Sequence, residues 1–199
     1  MSRGRLSWVA AGCLLAAVAG LGTVRADGRE ISAEERALLR VFELLAMDLV
    51  PAERALATAQ EGKAFPAVEI ELEVGRSEGK SVIVWNVELL SGSTMHEHLI
   101  DARSGKLLRS DVEEENEAAQ LAKAVAVSKV DLAAVIATIA KTVEGVCISI
   151  QLELDDGRAV WEAKVLSGGR VGEIEVDAAT GRILPEEEDG DDDDDEDDD

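Results

Sequence analysis

The sequence predicts an α+β fold built from two similar units, each with helices packed on one face of a small antiparallel β-meander. Three observations lead to this prediction. A turn written Asp-Ala-x-[Ser/Thr]-Gly occurs twice, 76 residues apart. Apolar and polar residues alternate in the segments before each turn, which is typical of strands with one buried face. Segments with apolar residues at helical spacing precede those strands.

The two turns begin at Asp101 and Asp177, and each contains a glycine four residues later, Gly105 and Gly181. An aspartate side chain can accept backbone N–H groups two or three residues on, and glycine adopts the positive φ that other residues avoid. We therefore interpret all four as structural turn residues, with no catalytic role. A duplicated turn also implies a duplicated unit.

The repeat extends well before the turn. Trp85 and Trp161 each lie 16 residues before the aspartate, at positions expected to face the core, and Ile70–Glu73 matches Ile150–Glu153. The first copy has four extra residues between its matching segment and its tryptophan. Because insertions are tolerated in loops, we expect a hairpin loop at Gly75–Lys80.

A helix, a β-meander and this turn, in that order and twice, resemble the PepSY domain. The resemblance covers residues 47–109 and 127–185, although tryptophan stands where the family commonly has tyrosine. It implies a tandem pair of domains of a kind found in propeptides of thermolysin-like metallopeptidases and proposed to inhibit or regulate peptidases. The chain would then be a non-catalytic interaction module whose partner is an extracytoplasmic peptidase or another envelope protein.

The N-terminus has the features of a signal peptide over residues 1–26. Arg3 and Arg5 precede a long apolar stretch, and Val24-Arg25-Ala26 fits the small-x-small cleavage pattern. We expect cleavage after Ala26, a periplasmic or extracellular location, and no membrane association afterwards. An uncleaved anchor is the alternative, because the uncharged stretch is nearly long enough to span a bilayer.

The rest of the chain divides into three predicted parts. Residues 27–110 form a helical extension and the first repeat, and residues 111–185 form a second helical extension and repeat. Residues 186–199 are almost entirely Asp and Glu, cannot bury a core, and are expected to be a disordered acidic tail.

Four helices are expected. The first covers Ser32–Ala46, with Ser32 as its cap. The second begins at Pro51 and runs to about Gln60. The third follows Asp111 to Val127, where an acidic segment gives way to an Ala-rich one and joins the two copies. The fourth is capped by Ser128 or Asp131 and has the most continuous apolar stripe, with Gly145 as its end.

The strand alternation assigns carboxylates and aliphatic residues together to the face of each sheet that the helices leave open. Such a face is too apolar to be fully solvated. Either the two sheets pack partly on each other or a partner binds there. The possible partner face comprises Glu69, Glu71, Glu73, Val84, Glu153, Val160, Glu162, Glu173 and Glu175.

Two other groups are weaker candidates for chemistry. His96 and His98 flank one residue of a strand and point the same way, but a zinc site needs a third or fourth ligand and the chain has no other histidine. We favour a packed structural pair, with a metal site as the lesser alternative. Cys147 alternates out of phase with the core positions, so it is either an exposed thiol or a small buried hydrophobe.

The formal net charge of −22 excludes nucleic acid as a partner, because nothing could neutralise its phosphates. No Gly-rich phosphate loop and no nucleophile beside the histidines is apparent, so we expect no cofactor and no enzyme. The alternative function is weak binding of divalent cations such as calcium by the acidic tail and acidic sheet face. Flexible carboxylates bind such ions with little selectivity.

Overall fold

The computed structural model describes residues 44, 47–77, 80–114, 118–155, 157–167 and 170–185. The predicted signal peptide, nearly all of the predicted Ser32–Ala46 helix and the acidic tail lie outside these residues. The described helices are α1 (Ala52–Ala59), α2 (Ala118–Val127) and α3 (Leu132–Thr142). The described strands are β1 (Ala67–Ser77), β2 (Lys80–Ser91), β3 (Thr94–Asp101), β4 (Leu107–Glu114), β5 (Val146–Asp155), β6 (Arg158–Ser167) and β7 (Arg170–Asp177). The predicted α+β class with antiparallel strands is confirmed.

The two units join edge to edge into one seven-stranded sheet, in the order β4-β3-β2-β1-β5-β6-β7. The junction is an antiparallel pairing of β1 with β5, in which Ile70 lies opposite Ile150. These two isoleucines are equivalent positions of the repeat, so an approximate two-fold axis passes between them, normal to the sheet. Face-to-face packing of two sheets, one of the two predicted alternatives, was therefore wrong for the described strands.

The helices cover one face of the sheet. Helix α1 packs on β1, β2 and β3, whereas α2 and α3 pack chiefly on the strands of the second repeat. Four residues of the stripe predicted for α3 are buried, Leu132, Val135, Ile136 and Ile139, whereas Ala140 of that stripe is exposed.

Trp85 and Trp161 are only 2% and 1% exposed between helices and sheet. Burial of this apolar surface is the main stabilisation of the fold.

The repeated turn has the same geometry in both copies. Asp101 Oδ1 accepts the backbone N–H of Ser104 at 2.7 Å, and Asp177 Oδ1 accepts that of Thr180 at 2.7 Å. Gly105 and Gly181 both have φ of 71°. Any other residue at either position would have to adopt this left-handed backbone conformation, which only glycine adopts readily.

Each turn also fixes the start of a helix. The carbonyl of Ala102 accepts the N–H of Val50 at 2.8 Å, and the carbonyl of Val50 accepts Trp85 Nε1 at 3.0 Å. The second copy repeats this arrangement, with Trp161 Nε1 donating to the carbonyl of Val130 at 3.2 Å. The alanine after each aspartate is fully buried at this junction, which explains why the repeated turn contains a small residue there.

The prediction of a helix over Asp111–Val127 was wrong in its first part. The residues up to Glu114 belong to β4, which pairs with β3, and the described helix α2 covers Ala118–Val127. Pairing along β3 satisfies the backbone hydrogen-bonding groups of this acidic segment that point toward β3, and it leaves the carboxylates near solvent. In the second repeat the corresponding contact is reduced to a single bridge between Val176 and Ile183.

Two predicted boundaries also shift. The four-residue insertion lengthens the β1–β2 hairpin: Gly75 pairs with Val82 and Ser77 with Lys80, so most of the predicted loop is strand. Helix α3 ends at Thr142, before the predicted stop, because the backbone turns to extended geometry at Val143.

Candidate functional site: the open face of the sheet

The side of the sheet opposite the helices is called the open face here. Its centre is a row of side chains that crosses all seven strands, defined by the strand register. We call it the acidic row, and its members are Asp111, Glu97, Glu88, Glu69, Gln151, Glu162 and Glu175. Six of these seven residues are carboxylates, so the pairing of strands concentrates negative charge along one line.

The neighbouring row is mixed. It contains Arg109, Leu99, Asn86, Glu71, Ser149, Lys164 and Glu173. Glu73 and Val84 pair beyond the mixed row in the first repeat, whereas their two-fold equivalents Glu153 and Val160 pair on the opposite side of the acidic row in the second repeat. The register thus brings every residue of the predicted partner face onto one continuous surface.

The glutamates of β1 lie at the middle of this surface and are half-buried. Burial, followed by repulsion from Glu88 and the other β1 glutamates, raises the pKa of Glu69 well above its usual value. Burial and the neighbouring Glu73 raise the pKa of Glu71 to about 7, and burial and Glu97 raise the pKa of Glu73. Desolvation is the largest cause in all three cases, because a carboxylate loses hydration in a low-dielectric setting.

Two cations partly offset this charge. Lys164 Nζ lies 3.6 Å from Glu162 Oε1 and 4.0 Å from Glu173 Oε1, and its charge lowers the pKa values of Glu69 and Glu71. At the other side, Arg109 pairs with Glu97 at 3.1 Å and with Asp111. The pKa values of Glu69 and Glu71 nevertheless stay raised, so the nearby cations do not compensate for the desolvation of these carboxylates.

The open face also has buried apolar and polar atoms. Val84, Leu99 and Leu166 are at most 6% exposed. Asn86 Nδ2 donates to Glu97 Oε1 at 3.2 Å, whereas Asn86 Oδ1 is buried and has no hydrogen-bond partner among the described residues. A polar atom in that condition is rare in folded proteins.

The histidine pair lies on the helix-covered side of β3. His98 is fully buried, and Lys63 Nζ lies 2.7 Å from His98 Nε2, with Ser110 Oγ at 3.3 Å. Burial and then the charge of Lys63 lower the pKa of His98, so a neutral ring accepts a hydrogen bond from the ammonium group. The ring of His96 packs against Phe65, with centroids 4.9 Å apart. This is a packed arrangement in which a cation occupies the position that a metal would need.

Cys147 also faces the helices. A β-bulge between Cys147 and Ser149 places the thiol opposite Val165, on the core side, and burial raises the pKa of the thiol to about 12. Strict alternation had assigned this residue to the other face. The small buried hydrophobe is therefore the alternative that the structure supports.

Within the described ranges, no group of three or more His, Cys, Asp or Glu side chains is arranged to hold a metal ion. The same part of the chain has no helix with the length and apolar character needed to span a membrane.

Comparison with known families assigns the two repeats. A family model described as peptidase propeptide and YPEB domain, or PepSY, matches residues 49–111 and again residues 129–187. The chain belongs to the PepSY family. The tandem pair predicted from the repeated turn is confirmed, and PepSY domains are in general non-catalytic propeptide or regulatory modules.

Similarity to individual proteins is low. No curated protein is significantly similar to the chain. A candidate lipoprotein from Clostridium difficile 630 aligns with 71% of this chain and 95% of its own, at 19% identity and a TM-score of 0.42. The full-length peroxisomal multifunctional enzyme type 2 from Drosophila melanogaster aligns with 87% of this chain and 45% of its own, at 14% identity and a TM-score of 0.20. Both are too distant to carry an argument about function.

Three residues of these sites were missed by the sequence analysis. Lys164 stands at an open-face position by simple alternation, between Glu162 and Leu166, and that signal could have found it. Asn86 could have been found in the same way. Lys63 could not, because its contact with His98 joins a loop to a strand 35 residues away.

Proposed function

We propose that this PepSY protein is an exported, non-catalytic module that binds a protein partner through the open face of its sheet. The observation that carries the proposal is the set of half-buried β1 glutamates, Glu69, Glu71 and Glu73, whose pKa values are all raised by desolvation. Such groups lower the stability of the isolated fold, and perturbed carboxylates of this kind concentrate at functional sites.

The chemistry of the face favours a cationic partner surface. A Lys or Arg side chain docked beside Glu69 and Glu71 would supply the positive charge that Lys164 supplies only in part. The two carboxylates are already partly removed from water. Charge-assisted hydrogen bonds are strong there. The buried aliphatic residues of the same face, Val84 and Leu166, would lie beneath a contact that excludes water.

The partner class we propose is an extracytoplasmic peptidase. Two features support it: the family is that of peptidase propeptides, and the N-terminus has the features of a signal peptide. The chain would act on the peptidase by binding, in line with the general role of PepSY domains as propeptide or regulatory modules.

A binding and inhibition assay tests the proposal. The purified chain is titrated into peptidases secreted by the same organism, and complex formation and peptide hydrolysis are measured together. We expect binding by wild type and loss of at least tenfold in affinity for the variant Glu69→Gln, Glu71→Gln, Glu73→Gln. The matched control is Asp48→Asn with Glu61→Gln and Glu144→Gln, which neutralises three exposed carboxylates outside the strands. Equal affinity of the two variants would contradict an open-face contact.

A further inference from the structure

The two outer edges of the sheet differ. The last strand of the second repeat, β7, has its edge partly occupied: Ile183 bridges to Val176, and the N–H of Leu184 donates to the carbonyl of Glu175 at 2.8 Å. No described strand pairs with the outer edge of β4. Open edges of this kind present unpaired backbone N–H and C=O groups to any strand that can align with them.

The exposed edge also carries exposed apolar side chains. Leu107, Leu108 and Val112 are 46%, 40% and 58% exposed, although each belongs to a strand. Edge strands are normally protected by lysine, proline or a covering element. Strand β4 contains neither lysine nor proline, and its protection within the described residues consists of the charges of Arg109, Asp111, Glu113 and Glu114.

The sequence of β4 is complementary to itself in antiparallel orientation. When two copies of the strand pair with Ser110 opposite Ser110 of the other copy, Arg109 lies opposite Asp111 and Leu108 opposite Val112, each twice. One step further out, Leu107 lies opposite Glu113, which is neither a charge pair nor an apolar pair, and two steps further out Lys106 lies opposite Glu114. Opposite charges and apolar pairs directly across an antiparallel ladder are stabilising, whereas like charges are destabilising.

The faces of the strand agree with this pairing. The register places Arg109 and Asp111 on the open face, beside Leu99 and Glu97, and their side chains are 55% and 38% exposed. Val112 lies on the other face, beside His96. Arg109 already contacts Asp111 and Glu97 of its own chain, so pairing would build an alternating cluster of two arginines among the carboxylates of both copies.

We propose that a second copy of this chain docks on β4, forming a two-fold symmetric dimer with one sheet continuous across both copies. The junction would repeat the geometry that the chain uses internally, where β1 and β5 join edge to edge about Ile70 and Ile150. Because both axes are normal to the sheet, the two open faces lie on the same side. The proposal goes beyond the open-face function and does not depend on it.

The dimer buries a single strand edge, which is a small contact compared with the ~1,200 Å² or more of stable complexes. Negative net charge on both copies opposes it further. A reversible, concentration-dependent equilibrium between monomer and dimer is therefore the expected behaviour, at moderate salt that screens the long-range repulsion.

Sedimentation with charge-swapped variants tests the pairing. Wild type is expected to dimerise with increasing concentration, whereas Arg109→Asp alone and Asp111→Arg alone juxtapose like charges and shift the equilibrium at least tenfold toward monomer. An equimolar mixture of the two variants restores both opposite-charge pairs and is expected to form the heterodimer. Arg170→Asp, the same charge change on β7, is the matched control and should dimerise as wild type does. A wild type that stays monomeric, single variants that still dimerise, or a mixture that stays monomeric would each overturn the proposal.

Cross-linking provides a second measurement that needs no change of charge. Ser110→Cys places two thiols opposite each other at the two-fold axis and is expected to give a disulfide-linked dimer under mild oxidation. Ser167→Cys, exposed at the β6–β7 turn, is the control and should cross-link much more slowly. Equal rates for the two would overturn the β4 pairing.

Discussion

The two faces of one sheet satisfy their polar groups to different degrees. On the helix-covered face, Trp85 and Trp161 donate their indole N–H groups to backbone carbonyls, and His98 accepts a hydrogen bond from Lys63. On the open face, Glu69 and Glu71 keep raised pKa values despite the nearby Lys164. The first face is organised for stability, and the second retains carboxylates that weaken the isolated fold, as expected of a surface whose partner completes it.

The largest expected effect is the removal of a buried tryptophan from the helix-covered face. Trp161→Ala should lower the free energy of unfolding by about 3–5 kcal/mol, because it leaves a cavity in the core. Trp161→Phe removes some volume and the indole donor, although the carbonyl of Val130 still accepts a hydrogen bond from Ser128 Oγ at 2.7 Å, and it should lower the free energy of unfolding by about 1–2 kcal/mol. Urea denaturation followed by far-UV circular dichroism measures both. A loss below ~1 kcal/mol for the alanine variant would show that this face does not hold the fold together.

A smaller loss is expected at the repeated turn. Asp101→Ala removes the acceptor for the N–H groups of Arg103 and Ser104 and should lower the free energy of unfolding by about 1 kcal/mol. Asp101→Asn retains an acceptor and is the matched control, with a smaller loss. Thermal unfolding of the three chains compares them, and equal stability of all three would refute the structural role of the turn.

Neutralising a carboxylate on the open face should raise the free energy of unfolding, whereas the substitutions above lower it. The pKa of Glu71 is about 7 in the folded chain and 4.5 in the reference state, so ionised Glu71 destabilises the fold fully above pH 7 and not at all below pH 4.5. Glu71→Gln should therefore raise the free energy of unfolding at pH 8 by about 1 kcal/mol, less than full conversion of the shift because the side chain is half-buried. The gain should vanish at pH 4. A loss of stability at pH 8 would mean that Glu71 is satisfied as an ion within its own chain.

The smallest expected effect is a loss of stability at acidic pH that comes from His98, on the helix-covered face. The pKa of His98 lies below its usual 6.5 because of burial and Lys63, so its contribution to stability is lost as the pH falls from 6.5 toward the lower folded value. Lys63→Met removes the neighbouring cation and should reduce that loss. Denaturation midpoints at pH 7 and pH 5 measure it, and an unchanged pH dependence in the variant would exclude the Lys63–His98 contact as its cause.

The sequence predicted the repeat, the family and the α+β class because those depend on local signals that occur twice: the Asp…Gly turn, the alternation of β1 and β5, and the stripe of α3. It did not predict what depends on distant pairing. Three features depend on which strand edges pair with each other: the junction between Ile70 and Ile150, the strand at Leu107–Glu114 and the bulge at Cys147. None of them is indicated by the residues of its own segment. The glutamates of the open face were found by alternation, but the extent of their burial required the assembled sheet.

Site-specific photocross-linking in cells tests the open-face claim most directly. A photoreactive amino acid replaces Val160, on the open face, or Ala140, exposed on α3, in otherwise identical chains. The account predicts a covalent adduct from position 160 whose protein component is identified as an extracytoplasmic peptidase, and no such adduct from position 140. Adducts with the peptidase from position 140 alone, or no peptidase adduct from position 160, would contradict it.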